Sequence, residues 1–565
     1  MIRKISGWLL FVLIFAFLAA FLVWPIWLTL RGAFFSSTGP TLGFVREVFE
    51  HPLYRQGLIN AFKVAVATTL VVFVVAVPLA VLAYRYNFAG KGLFSATVLV
   101  PMILPPFVGA IGMRIILGQW GALNALLRHV GLLGPESAID WLGEGQFWGV
   151  VIMEALHLYP ILYLNALAAL SNLDPTMDEA ALNMGASPWR RFRRITLPLI
   201  TPGLFAGGTI VFIWSFTELG TPLMFDYSRH AAVQIFNGIK EIGADNPFPY
   251  ALTAVMLTIS AGLYGVSKLL WGGVSYATAG RATVASATSD LRGVKRWLAA
   301  VPFLAVTSLA ILPHIGVVLV SISTDWYGSV LPTGFTFEHF RTGLGHSLTV
   351  PSISNSMRYA SGAMLVDLAL GMAIAYIVVR STWRSRAIID TLSMLPLAVP
   401  GLVLAFGYMA MTRPGEWFSW LDPVENPLAL LVIAYAVRRL PYVVRSAAAG
   451  LQQVSQELEY AALNLGASLA RTLRKVTVPL ISANLMAGGV LAFSFAMLEV
   501  SDSLMLAQRQ PQYPITKAIF ELFQMLGEGR YIASALGVWA MVFLAITIAS
   551  VSVLLGRRLG AIFRV

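Results

Sequence analysis

Apolar residues run in blocks of about 23 to 28 along nearly the whole chain, parted by shorter polar stretches. They lie near 6–30, 57–84, 94–117, 146–169, 198–221 and 249–271, then near 297–322, 355–379, 387–411, 427–449, 479–504 and 531–556. An α-helix needs about 20 such residues, at 1.5 Å each, to cross the hydrocarbon core of a bilayer. Nothing keeps a period of two for the ten or so residues of a transmembrane strand. The pattern predicts an all-α, polytopic membrane protein of about 12 spans. The first block, MIRKISGWLLFVLIF onward, is about 24 residues long. That exceeds the 7–15 residues of a signal-peptide core, so it reads as a retained anchor.

Composition agrees with the pattern. Of 565 residues 58% are hydrophobic and 12% charged, against about 25% charged in a typical soluble domain. The absence of cysteine excludes disulfides, thiolate metal sites and thiol nucleophiles. With the N-terminus inside, the inner loops hold about 22 Lys/Arg against 7 acids, and the outer loops about 14 against 18. The net charge of +12 is therefore a positive-inside bias rather than a nucleic-acid surface, and both termini are expected in the cytoplasm.

The blocks repeat. Shifted by 281 residues, Ala180–Met224 matches Ala461–Met505 at about half of its positions, and Pro160, Gly185, Pro198 and Glu218 fall on Pro441, Gly466, Pro479 and Glu499. Upstream the shift is 295, so that Arg85 falls on Arg380, Pro101 on Pro396 and Pro105 on Pro400. The difference is an insertion in the first copy around Gly118–Gly145. The chain reads as two six-helix units, 1–272 and 297–565, joined by a small, polar linker, 273–296. An even number of crossings gives the copies the same orientation, the parallel-repeat arrangement that places a substrate path between them.

Between the fourth and fifth blocks of each copy lies a basic, glycine-centred loop: DEAALNMGASPWRRFRRITLP (178–198) and EYAALNLGASLARTLRKVTVP (459–479). Asp174-Pro175 followed by Asp178, Glu179, Ala180 and Ala181 is a helix-start signal. Gly185 permits a bend, and a second short helix then leads to Pro198. The expected product is a rigid knob on the inner side of the membrane.

Glu179-Ala180-Ala181, then Gly185, then Ile195-Thr196-Leu197-Pro198 is similar to the EAA loop of ABC importer permeases. The second copy keeps the spacing from Ala461 and Ala462 through Gly466 to Pro479. It has Tyr460 where the glutamate belongs, Glu459 one residue earlier, and Val476 and Val478 for the isoleucine and leucine. Over nearly its whole length the chain resembles two fused type I importer permeases, most of all those for ferric iron, with those for thiamine, phosphonate and polyamine as alternatives.

The resemblance implies that each loop docks a cytoplasmic ATPase subunit, two copies in all, and that an extracytoplasmic solute-binding protein delivers cargo. It also implies a bacterial inner-membrane location and no catalysis or cofactor in this chain, ATP and Mg²⁺ being used by the ATPase. The sequence has no G-x-x-x-x-G-K-[ST]: before its only Gly-Lys pair, Gly90-Lys91, Arg85 stands where the first glycine belongs.

Ionisable residues inside spans are costly and mark functional candidates. Glu154 and His157 share a face of the fourth span, and Arg438 and Arg439 lie in the tenth. Glu154 and Arg438 are expected either to pair near the path or to serve a structural ion pair. Asp367 is expected to hydrogen-bond between helices. Glu218 and Glu499, about 30 Å beyond Pro198 and Pro479, are expected at a hydrated outer surface. They would line a cargo mouth there or simply be solvated. No metal site is assigned. The alternative function is an ion-coupled secondary transporter.

Overall fold

The computed structural model describes residues 2–242, 246–271 and 289–555. Most of the expected linker (272–288) and the last ten residues lie outside them. Among the described residues nine helices are long and apolar enough to cross a membrane: Trp8–Phe34, Pro52–Arg85, Pro106–His129, Glu144–Ser171, Pro188–Thr217, Pro247–Leu270, Val294–Ser321, Thr349–Arg380 and Gly529–Ser550. Two more apolar segments are bent pairs, Arg386–Leu397 with Gly401–Met411 (104°) and Leu469–Leu480 with Ser482–Met497 (77°). The helix Leu428–Gln453 falls on the tenth block and carries Arg438, Arg439 and Arg445. Together these helices occupy the twelve apolar blocks.

The structure corrects the expectation of continuous third and ninth spans. The third block breaks between the short helix Val100–Ile103 and Pro106–Leu117, and the ninth breaks before Gly401. Pro105 and Pro400 hold the same extended backbone, ψ 122° and 136°. A proline inside a helix lacks the N–H for the ladder and clashes with the carbonyl four residues back. The break recurs at the same place in both copies, although proline alone does not impose it, since Pro160 and Pro441 stand inside continuous helices. The eleventh block bends at Ile481, and its helix ends at Met497.

The chain gathers into two compact units. One comprises Met1–Pro52, Ile235–Leu257 and Glu338–Phe563, and the other Leu53–Gln234 and Thr258–Phe337. Each takes its leading span from the opposite half of the sequence. In the first unit Trp8–Phe34 lies along Gly401–Met411. There the Tyr408 hydroxyl donates to the Phe21 carbonyl (2.7 Å), the Thr29 hydroxyl donates to Val403 (3.2 Å), and a Cβ on Gly407 would come within 2.2 Å of the Pro25 carbonyl oxygen.

In the second unit Val301–Ser321 lies along Pro106–Leu117, and a Cβ on Gly112 would come within 1.9 Å of the Pro313 carbonyl oxygen. Gly112 and Gly407 are repeat equivalents, 295 apart. Close backbone approach between apolar helices favours such small residues.

The second unit's core joins Val72, Leu79, Tyr159, Leu162, Tyr163 and Phe303, and the first unit's joins Ile14, Leu18, Ile374, Leu440 and Val444. The end of the expected linker is tied down: Ser289–Asp290 pairs in parallel with Tyr86–Asn87, and the Asn87 amide donates to Asp290 (2.9 Å).

Candidate functional site

The two repeated loops fold alike. In the first, the Asp174 carboxylate accepts from the Thr176 amide (2.9 Å) and hydroxyl (2.8 Å) and so starts the helix Pro175–Asn183. These donors hold the exposed Asp174 carboxyl below the usual carboxylate range, the amide contributing most. In the second, the Ser455 hydroxyl caps Gln456–Asn464 by accepting from the Glu457 amide.

Both helices end in the same closure. Ala186 N–H reaches the Ala181 carbonyl and Ala467 N–H the Ala462 carbonyl, each at 3.0 Å, while Gly185 and Gly466 take φ of +75° and +86°. This is the left-handed helix stop that glycine adopts at little cost. No neighbour lies within 4 Å of where a Cβ would sit on either glycine, so conformation rather than space requires glycine there.

Ser187 and Ser468 then cap the second short helices, Pro188–Arg191 and Leu469–Thr472, each accepting from an amide at 3.3 Å. A π-helical turn, Phe192–Thr196 or Leu473–Thr477, leads into the next span.

These knobs carry apolar side chains in the open. Met184 is 83% and Leu465 89% exposed, and Met177, Leu182, Trp189, Leu458 and Tyr460 are exposed as well. Grouped exposed apolar residues are the kind of surface through which proteins meet partners. Their places beside the glycine turn are legible in the sequence, but reading the loops for charge and small residues overlooks them. Of the expected docking residues, Glu179, Ala180, Gly185, Ala461 and Gly466 are exposed, Asp178 and Ala462 are half-buried, and Ala181 is buried. Glu459 is also buried, held by Arg380 Nε (3.2 Å) and the Tyr376 hydroxyl (3.2 Å).

The intramembrane candidates divide between the units. In the second unit Glu154 is buried and accepts from the Ser215 hydroxyl. His157 Nδ1 donates to the Pro101 carbonyl (2.8 Å). That carbonyl's helical partner would be the amide of residue 105, which as proline has none. Glu218, half-buried, caps the Gly220 amide (3.1 Å).

In the first unit Arg438 is held by Glu499 (2.5 Å) and by Asp502 (3.6 Å), and Arg439 by the other oxygen of Glu499. Glu154 and Arg438 therefore each find a partner within their own unit. The expected hydrated place for Glu499 is corrected: it is only 3% exposed. The 30 Å estimate assumed a straight helix from Pro479, whereas this one bends at Ile481 and stops at Met497. Asp367 is buried, but among the described residues neither of its oxygens has a hydrogen-bond partner, so the expected helix–helix hydrogen bond is not formed.

A duplicated polytopic fold with a matching capped loop in each copy defines a multi-pass membrane component built from two repeats. The chain belongs to the family described as "Binding-protein-dependent transport system inner membrane component", whose model matches residues 73–270 and 367–563. It is 26% identical over 477 residues to a ferric transport system permease protein, FbpB, of Actinobacillus pleuropneumoniae, covering 81% of this chain and 64% of that protein's length. It is 26% identical over 485 residues to a putative ferric transport system permease of Haemophilus influenzae (82% and 71% covered). It is also 28% identical over 497 residues to a probable ABC transporter permease protein, y4fN, of Sinorhizobium fredii (85% and 84% covered).

Proposed function

We propose that the chain forms the translocation path of an ATP-driven, binding-protein-dependent importer of the inner membrane. The observation that carries this reading is the pair of knobs alike in cap, glycine turn and exposed apolar tip. Two such handles suit two ATPase subunits, which bind the ATP and Mg²⁺ that this chain does not. When the ATPases close on each other, the knobs are drawn together and the helices behind them rock from inward- to outward-facing. A loaded binding protein on the outer face then releases its cargo.

Ferric iron is the cargo favoured by the named relatives. Both termini lie in the cytoplasm on the positive-inside bias, and the chain itself catalyses nothing. The test is co-expression with a cognate ATPase. Detergent-solubilised permease should retain an ATPase dimer, deletion of 178–186 should release it, and membrane vesicles should take up radiolabelled ferric iron only with ATP inside and loaded binding protein outside. Uptake driven by a proton or sodium gradient without ATPase would instead establish an ion-coupled transporter.

A further inference from the structure

Arg85 ends the helix Pro52–Arg85 and Arg380 ends Thr349–Arg380, at repeat-equivalent positions. Each guanidinium reaches into the first turn of its own half's knob. Arg85 Nη2 lies 3.5 Å from Asp178 Oδ1 and donates to Thr196 Oγ1 at 3.0 Å, while Arg191 Nη1 closes on Asp178 Oδ2 at 2.8 Å. Arg380 Nε lies 3.2 Å from Glu459 Oε1, its Nη2 donates to the Val454 carbonyl at 2.9 Å, and the Tyr376 hydroxyl donates to Glu459 Oε2 at 3.2 Å.

Asp178 and Glu459 are equivalent under the 281-residue shift. One joint has thus been built twice from different acids. The residue that follows the joint faces outward: Glu179 in the first knob and Tyr460, 49% exposed, in the second.

We propose that Arg85 and Arg380 are positioning residues that fasten each knob to the inner end of the second helix of its half, so that force entering the knob passes straight into that helix. The second knob then meets its ATPase through the Tyr460 ring, with the Glu459 carboxylate engaged inside the joint. This rests on the reading of the chain as an ATP-driven permease. The joints differ in burial: side-chain exposure is 9% and 4% for Arg380 and Glu459, against 17% and 39% for Arg85 and Asp178. A buried pair is screened less by salt, so the second joint should depend less on ionic strength.

Because the chain has no cysteine, a spin-label pair placed by Thr382→Cys and Asn464→Cys reports the second joint without background. The sample is the full permease with its ATPase in nanodiscs. The label distance should be narrow and should not change between the nucleotide-free state and the state trapped with ATP and orthovanadate. In Arg380→Ala it should broaden and shift on trapping while ATPase capture persists, and the swap Arg380→Glu with Glu459→Arg should restore it. Tyr460→Ala should weaken ATPase capture more than Glu459→Gln does.

Unchanged distances in Arg380→Ala, or a greater loss of capture in Glu459→Gln than in Tyr460→Ala, would overturn the proposal. Should Arg380→Ala not accumulate, the same comparison on Arg85→Ala, with labels at Asn87→Cys and Asn183→Cys and the swap Arg85→Asp with Asp178→Arg, decides it. If the wild-type chain captures no ATPase, it is the parent reading that fails, and label widths in the permease alone still decide whether the joint is rigid.

Discussion

Gly185 and Gly466 show how one residue sets a surface. Their positive φ turns the chain so that Met184 and Leu465 stand outward next to them. Alanine in a left-handed conformation costs about 1–2 kcal/mol, and about 1.4 kcal/mol is tenfold in an equilibrium. Gly466→Ala should therefore weaken ATPase capture about tenfold, read by titrating ATPase onto immobilised permease, while the permease's own melting temperature stays nearly constant. Glu499 is the opposite case, a buried acid between two arginines. Removing one partner of a buried ion pair costs about 3–5 kcal/mol. Arg438→Ala should accordingly lower the thermal unfolding midpoint in detergent by several degrees, whereas Met184→Ala should leave it in place and reduce only ATPase capture.

At the level of helices, the proline breaks organise the polar interior. Pro105 deprives the Pro101 carbonyl of its helical donor, and His157 supplies one. In the other copy the equivalent of His157 is Arg438. Its guanidinium occupies the space beside Gly401, where a Cβ would lie 1.9 Å from Nη1. His157 thus completes the first break by a hydrogen bond, while Arg438 packs against the second. Gly401→Ala should displace Arg438 from Glu499. Its destabilisation should be strongly non-additive with Arg438→Ala, giving a coupling of about 1–3 kcal/mol in a double-mutant cycle. Purely additive effects would mean that Gly401 and Arg438 act separately.

Across the whole molecule, the contiguous halves read from the repeat are not the compact units. The Trp8–Phe34 helix packs with residues 338 onward, and Val301–Ser321 packs with the first half. Neither half carries the helix that covers its own Pro105 or Pro400 arm. Residues 281–565 expressed alone should therefore be degraded or protease-sensitive, and co-expression with 1–280 should restore a protease-resistant complex. A stable second half by itself would contradict this exchange of leading helices.

The helices, the duplication and the two knobs are legible in the sequence alone, because each follows from local rules: apolar block length, a cap signal, a glycine stop. The breaks at Pro105 and Pro400 are not, since Pro160 and Pro441 stand inside unbroken helices. The sequence also held the equivalence of Asp178 with Glu459, although family spacing drew attention to the neighbouring Glu179. Tertiary contacts settle which carboxylate meets which arginine, that Glu499 is buried, that Asp367 has no hydrogen-bond partner among the described residues, and that leading helices are exchanged. Those outcomes depend on where separate helices bend and which faces meet, and burial and pairing are properties of several segments at once rather than of any one.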